Sequence, residues 1–110
     1  MSTPNPMPTL IEVLRDPRAY DASHALFARR DALAPHAACL VLQVDLYDPD
    51  DVPQAARDAG FDYLLGMDDV RDIVSNLLAQ RPRPSDALRW DAFAHYFGRD
   101  AFIVLDPPDA

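Results

Sequence analysis

The side chains best suited to chemistry form a run of aspartates in the middle of the chain. An apolar segment that is predicted to be a strand is followed by Asp45, Asp48, Asp50 and Asp51. The α/β folds bind ligands just beyond the carboxyl ends of their strands. The candidate metal ligands for Mg²⁺ or Ca²⁺ are therefore Asp45, Asp48 and Asp50. The spacing fits neither an EF-hand loop nor a pair of aspartates one residue apart, and ordinary turn formation and helix capping are the alternative explanation.

The other potential nucleophiles and bases form no catalytic set. The histidines, at 24, 36 and 95, do not have the spacing of metal ligands on one element. Cys39 sits in an apolar run, which predicts that its thiol is buried. The serines occupy no nucleophile elbow. The sequence therefore predicts no catalytic residues and no cofactor, and it favours a protein that is not an enzyme.

Aromatic residues of the predicted last helix are the second candidate site. Trp90, Phe93 and Phe97 share adjoining flanks of this helix, and with their neighbours they span about half of its circumference. A helix that covers one face of a sheet needs a narrower apolar stripe. An exposed aromatic edge would be a partner-binding interface, and plain core packing is the alternative.

Charge limits the classes of partner. The chain has 110 residues and a formal net charge of −8, with 10 basic residues, all arginine, against 18 acids. This balance predicts no nucleic-acid binding and no membrane binding, and it favours a basic protein partner. The first residues show no secretory signal, and no apolar run is long enough to span a bilayer. A cytoplasmic location is the prediction.

Periodicity and turn residues predict the order of helices and strands. The predicted helices lie at about 10–16, 52–60, 69–80 and 86–97. The predicted strands lie at 23–28, 38–45, 61–65 and 101–105. Thr9 and Glu12 form a capping box before the first helix. We expect Asp68 or Asp69 to cap the third helix, and Gly98 to end the fourth.

These elements predict one α/β domain over residues 9–105, between a disordered tail at 1–8 and a second tail at 106–110. The expected architecture is a small four-stranded sheet, mixed or mostly parallel, packed by about four helices. Strand, helix and strand follow one another at about 38–65. This order predicts a βαβ unit whose two strands are parallel.

Capping and core positions also carry a resemblance to a known family. The matching segments cover about residues 10–104 and include His24-Ala25-Leu26-Phe27, Cys39-Leu40-Val41-Leu42, Asp51-Val52-Pro53, Asp72-Ile73-Val74 and Asp100-Ala101-Phe102-Ile103. In these segments the chain resembles an uncharacterised family of small acidic bacterial proteins, a domain of unknown function. The resemblance implies an association with candidate immunity proteins of toxin systems. It transfers no catalytic residue.

Three functional hypotheses follow from the sequence. The first is a non-catalytic protein-binding module, similar to an immunity or inhibitor protein. Its acidic loop would attract a basic partner through Asp45, Asp48, Asp50 and Asp51, while the aromatic residues of the last helix supply contact area. The second is a divalent-metal-dependent enzyme or regulator with its site on the acidic loop 45–51. The third is a homo-oligomer that uses the last helix as its contact.

Overall fold

The computed structural model describes residues 7–44 and 52–105. Its helices are α1 (Leu10–Arg15), α2 (Gln54–Ala59), α3 (Met67–Gln80) and α4 (Asp86–Arg99). Its strands are β1 (His24–Ala28), β2 (Cys39–Gln43) and β3 (Asp62–Gly66). Short 3-10 turns follow α1 at Pro17–Ala19 and β1 at Arg30–Ala32. The predicted tails lie outside the described residues, except that Met7 and Pro8 are included.

The sheet of the described chain is antiparallel and has three strands, in the order β2-β1-β3. The prediction of a four-stranded, mixed or mostly parallel sheet is therefore wrong. The two strands of the predicted βαβ unit at 38–65 are not neighbours, because β1 lies between them. Each pairs antiparallel with β1, so they run in the same direction without touching. An apolar strand pattern indicates burial, but it does not indicate which strand pairs with which.

β1 takes the central position because its side chains are apolar on both faces. Leu26 and Ala28 pack on the side of the sheet that α1, α3 and α4 cover. Ala25 and Phe27 point to the opposite face, where they pack with Ala56 of α2. Successive residues of a strand alternate between faces, so a strand buried on both sides reads as a continuous apolar run.

A bulge in β3 strengthens the larger of these two cores. Leu65 pairs with Leu26 and Tyr63 pairs with Phe27, which leaves Leu64 as an extra residue between them. The extra residue lets Leu64 and Leu65 both pack into the same cluster, although they are adjacent in sequence. The register after the bulge places Tyr63 on the α2 side, where its ring meets Phe27 edge to face at 5.8 Å.

The segment 101–105, predicted to be a strand, is not one, and its prediction is wrong. The Gln80 side chain holds it instead: Nε2 donates to the Ile103 carbonyl and Oε1 accepts from the Leu105 amide, both at 2.8 Å. Ile103 and Leu105 pack against the core, while Val104 is 88% exposed. The apolar run therefore reflects packing of part of the segment on the core rather than pairing with a strand.

Helix boundaries follow the predicted capping residues only in part. Thr9 caps α1 as predicted, since its Oγ1 accepts from the Glu12 amide. Gly60 ends α2 in the left-handed conformation, with φ of 73°, also as predicted. α3 begins at Met67 after Gly66, two residues before the predicted start. α4 passes through Gly98 and ends at Asp100, which adopts φ of 54°. Asp tolerates this conformation through local hydrogen bonding.

Candidate functional site

The acidic loop is the first site that the sequence predicts. Asp45, Asp48, Asp50 and Asp51 lie outside the described residues, so the interpretations of this loop as a metal site or a partner surface stay predictions. Val44 is the last described residue before the loop, and it lines a cavity of about 420 Å³. We call this cavity the acidic cleft.

The antiparallel sheet explains why the acidic cleft forms. The start of β1 lies beside the ends of β2 and β3, at one end of the strands. α3 starts at the same end of the sheet because it follows β3 directly. The cleft has a volume within the range of ligand pockets. Its lining residues are Ala22, Ser23, His24, Ala25, Val44, Tyr63, Gly66, Asp68 and Asp69.

Gly66 shapes the floor of the acidic cleft. A Cβ at this position would lie 2.5 Å from Oδ1 of Asp68. The same oxygen accepts a hydrogen bond from the Asp69 amide at 2.9 Å, in the first turn of α3. Only a residue without a side chain leaves the Asp68 carboxylate in this place. The sequence GMDD after a strand therefore builds an acidic corner as well as a helix start.

Four carboxylates near this corner form what we call the acidic surface: Asp68, Asp69, Asp72 and Asp100. Burial raises the pKa of Asp69, and the charges of the other three carboxylates raise it further. Asp100 joins the group because α3 and α4 pack together, so that the end of α4 reaches the start of α3. The surface therefore carries concentrated negative charge.

No arginine of the described chain forms an ion pair with the acidic surface. The ion pairs among residues 7–44 and 52–105 join Arg15 to Asp86, Arg29 to Asp31 and Arg89 to Asp86. None of the four carboxylates of the acidic surface takes part. These carboxylates are therefore available to a cation from outside.

Aromatic rings border the acidic surface. Tyr63 is 46% exposed and Phe102 is 41% exposed. Tyr96 packs against Phe102 with ring centroids 5.3 Å apart. The nearby carboxylate of Asp69 raises the pKa of Tyr96 most strongly, whereas burial is the main cause of the raised pKa of Tyr63. Rings beside carboxylates can attract the same cation through their faces.

Of the predicted aromatic residues on α4, one is a core residue and two are half-buried. Phe93 is 1% exposed, so it contacts other residues of this chain rather than solvent. Trp90 lies 5.4 Å from it and Phe97 lies 6.0 Å from it, measured between ring centroids. The guanidinium of Arg30 sits 5.8 Å from the Phe97 ring. A partner contact or a homo-oligomer contact at Trp90 and Phe97 stays a prediction.

The potential catalytic groups in the described chain do not form a nucleophile–base pair. Cys39 is fully buried, as predicted, and burial raises its pKa to about 12, so the reactive thiolate is not available. In the acidic cleft, the Ser23 hydroxyl donates to Asp21 at 2.8 Å. Among the described residues, no group of three or more His, Cys, Asp or Glu side chains could hold a metal ion.

The residues of the acidic cleft escaped sequence analysis because they come from separate segments. Asp68 and Asp69 read as helix caps, and Tyr63 reads as an ordinary strand residue. Their proximity to His24 depends on the antiparallel register, which periodicity does not indicate. One usable signal was present: two adjacent aspartates that follow, after one methionine, the glycine at the end of a strand.

The fold and the site define a small α/β protein. Its described part has an antiparallel three-stranded sheet and an acidic cleft at one end of the strands. The chain belongs to the family described as "Domain of unknown function (DUF7716)", whose model matches residues 7–105. No curated protein and no solved structure matches the chain. Within residues 7–44 and 52–105, no helix has the length and apolar character needed to cross a membrane.

Proposed function

We propose that this chain is a non-catalytic protein-binding module whose acidic surface binds a basic partner. The observation that carries the proposal is the set of four carboxylates that form no ion pair with an arginine in the described chain. They lie beside the exposed rings of Tyr63 and Phe102. Like charges repel one another, so a protein that keeps them together in the free state gains when a cation arrives.

A protein partner suits this surface better than a small cation. The acidic surface joins a cleft to a patch of half-exposed aromatic rings, and its carboxylates come from two helices. Arginine combines a charge with a planar group that stacks on aromatic rings and binds carboxylates in a bidentate manner. The partner surface would therefore present arginines, and it would associate faster at low ionic strength.

The biological setting of the proposal rests on the sequence. The small acidic chain resembles bacterial proteins that are associated with candidate immunity proteins. We therefore include in the proposal that it acts in a bacterial cytoplasm and covers a basic toxin or enzyme. The formal net charge of −8 supports this choice of partner.

A defined basic peptide tests the acidic surface directly. The probe is an octa-arginine peptide, measured by fluorescence anisotropy at 50 mM and 300 mM salt. Asp68→Asn, Asp69→Asn and Asp72→Asn are combined in one variant. Each exposed charge pair contributes about 0.5 kcal/mol, so we expect the triple variant to bind about tenfold more weakly at low salt.

A matched control separates local charge from net charge. Asp31→Asn, Asp58→Asn and Asp91→Asn, combined, also change the net charge from −8 to −5 (−8 plus 3). We expect this variant to bind almost as tightly as the original chain. Equal weakening in both variants would show attraction by net charge alone and would overturn the assignment of the acidic surface. A basic host protein captured by the original chain and by the control, but not by the first variant, would identify the partner.

A further inference from the structure

A second cavity, of about 220 Å³, lies between the end of α1, the 3-10 turn Pro17–Ala19 and α3. We call it the arginine cleft, because Arg15, Arg18 and Arg71 line it. One carboxylate, that of Asp16, lines it as well, but it forms no ion pair with any of these arginines in the described chain. Three arginines that line one cavity are unexpected in a chain with a net charge of −8.

The three arginines differ in how far their charges are already matched. Asp86 binds Arg15 through two hydrogen bonds, so this pair is close to neutral. Arg71 donates to the Tyr20 carbonyl, and its Nε is buried without a hydrogen-bond partner. Buried polar atoms without a partner are uncommon. The Tyr20 carbonyl does not neutralise Arg71. The Asp21 carboxylate lies close enough to interact with the charge of Arg71, but the two form no ion pair within the described residues.

Arg18 is exposed and makes no hydrogen bond or ion pair within residues 7–44 and 52–105. It belongs to the 3-10 turn, whose first residue, Pro17, is buried and anchors the turn against the core. The turn places the backbone of Arg18 at the cleft, while its exposed guanidinium has no ion pair with the rest of the described chain. A guanidinium without a partner can bind a carboxylate in a bidentate manner.

Apolar side chains line the arginine cleft on the same face of α3 as Arg71. Val74 and Leu78 lie one turn apart on α3, and Leu78 is 40% exposed although it is a large apolar residue. The hydroxyl of Ser75 adds one more polar group to the lining. The volume is below the range of drug-sized pockets, so only a short ligand fits. The cleft thus combines cationic groups with a small apolar wall.

We propose that the arginine cleft binds an alkyl carboxylate, with Arg18 and Arg71 facing the carboxylate and Val74 and Leu78 facing the alkyl chain. The ligand is either a small free acid or the carboxyl end of a peptide, since both present the same group. This site is separate from the acidic surface. It uses residues of opposite charge and would persist if the proposed binding of a basic partner proved wrong.

Titration with sodium butyrate tests the proposal, with chloride exchanged for butyrate so that ionic strength stays constant. We expect the amide resonances of Arg18, Arg71 and Ser75 to shift along a saturating curve. Arg18→Gln removes one guanidinium from an exposed position and should weaken butyrate binding about tenfold or more. Arg83→Gln, in the linker between α3 and α4, is the matched control and should bind butyrate like the original chain.

Two further ligands decide the source of the carboxylate. N-acetyl-Ala-Leu carries a peptide carboxyl end, and its C-terminal amide lacks the charge. Tighter binding of the dipeptide than of butyrate assigns the site to a chain end, and the reverse order assigns it to a free acid. Shifts that do not saturate, equal binding of the dipeptide amide, or unchanged binding by Arg18→Gln would overturn the proposal.

Discussion

The acidic cleft and the arginine cleft use the same helix for opposite chemistry. The acidic cleft takes Asp68 and Asp69 from the first turn of α3, whereas the arginine cleft takes Arg71 and Leu78 from farther along it. Asp69 and Arg71 are two residues apart, which is about 200° around a helix. The opposite charges of Asp69 and Arg71, which are close in the sequence, therefore lie on different sides of α3. Net charge alone would have indicated only the first of the two clefts.

The two clefts also differ in how they are built. The acidic cleft forms where three strands meet the start of a helix, so its geometry depends on the register of the whole sheet. The arginine cleft is formed by α3 and the short segment from Arg15 to Arg18, without a strand. We therefore expect changes at the strand ends to affect the acidic cleft alone, and changes to the helical core to affect both clefts.

The largest expected effect is that of Phe93→Ala, which should disturb both clefts. Phe93 on α4 is buried in the cluster that contains residues of α1 and α3, so it supports both cavities. Phe93→Ala should lower the free energy of unfolding by about 3–5 kcal/mol, through lost apolar burial and the cavity left behind. Urea denaturation followed by circular dichroism measures this loss. A loss below 1 kcal/mol would mean that α4 is not part of the shared core.

Gly66→Ala should have an intermediate effect, and it should affect the acidic cleft without affecting the arginine cleft. The new Cβ would meet Asp68 Oδ1 at 2.5 Å, so this carboxylate must move. Gly66 also caps α3, where glycine is favoured over alanine, and we expect a loss of about 1 kcal/mol in stability. Octa-arginine binding should weaken, while butyrate binding at the arginine cleft should not change. Parallel losses at both clefts would contradict their independence.

Asp69→Asn gives the smallest effect and tests charge rather than shape. The pKa of Asp69 is raised in the folded chain, so ionised Asp69 destabilises the fold at neutral pH, and this cost disappears as the pH falls below the folded pKa. The variant should therefore be more stable than the original chain at pH 7, by less than about 1 kcal/mol because solvent screens the charges. Thermal unfolding at pH 7 and pH 3 measures the difference. A gain of the same size at both pH values would exclude the electrostatic cause.

Sequence analysis identified those features that depend on local chemistry. The cap at Thr9, the helix end at Gly60 and the burial of Cys39 are confirmed, because each follows from a few neighbouring residues. The strand order was wrong, because antiparallel pairing around β1 depends on contacts between distant segments. The predicted strand at 101–105 was wrong because a short apolar run can pack on the core without pairing with a strand.

The candidate sites divide in the same way. The aromatic residues of α4 were recognised as a group, but the sequence could not separate the buried Phe93 from the half-buried Trp90. Neither cleft was predicted, because each joins residues that are far apart in the chain. All three strands lie between Arg18 and Arg71 in the sequence. The packing of α3 on the first 3-10 turn brings the two arginines to the same cleft.

The attachment of residues 101–105 through Gln80 has a consequence for local stability. A strand inside a sheet detaches only when several backbone hydrogen bonds break together, whereas this segment has two hydrogen bonds to one side chain. Its opening would uncover Ile103 and Leu105, which are only partly buried, since Val104 is already in solvent. Segments of this kind open at a lower free energy than the global fold. The amide of Leu105 should therefore exchange with deuterium faster than the amides of β1, and a protease should remove the end of the chain before it cleaves the core.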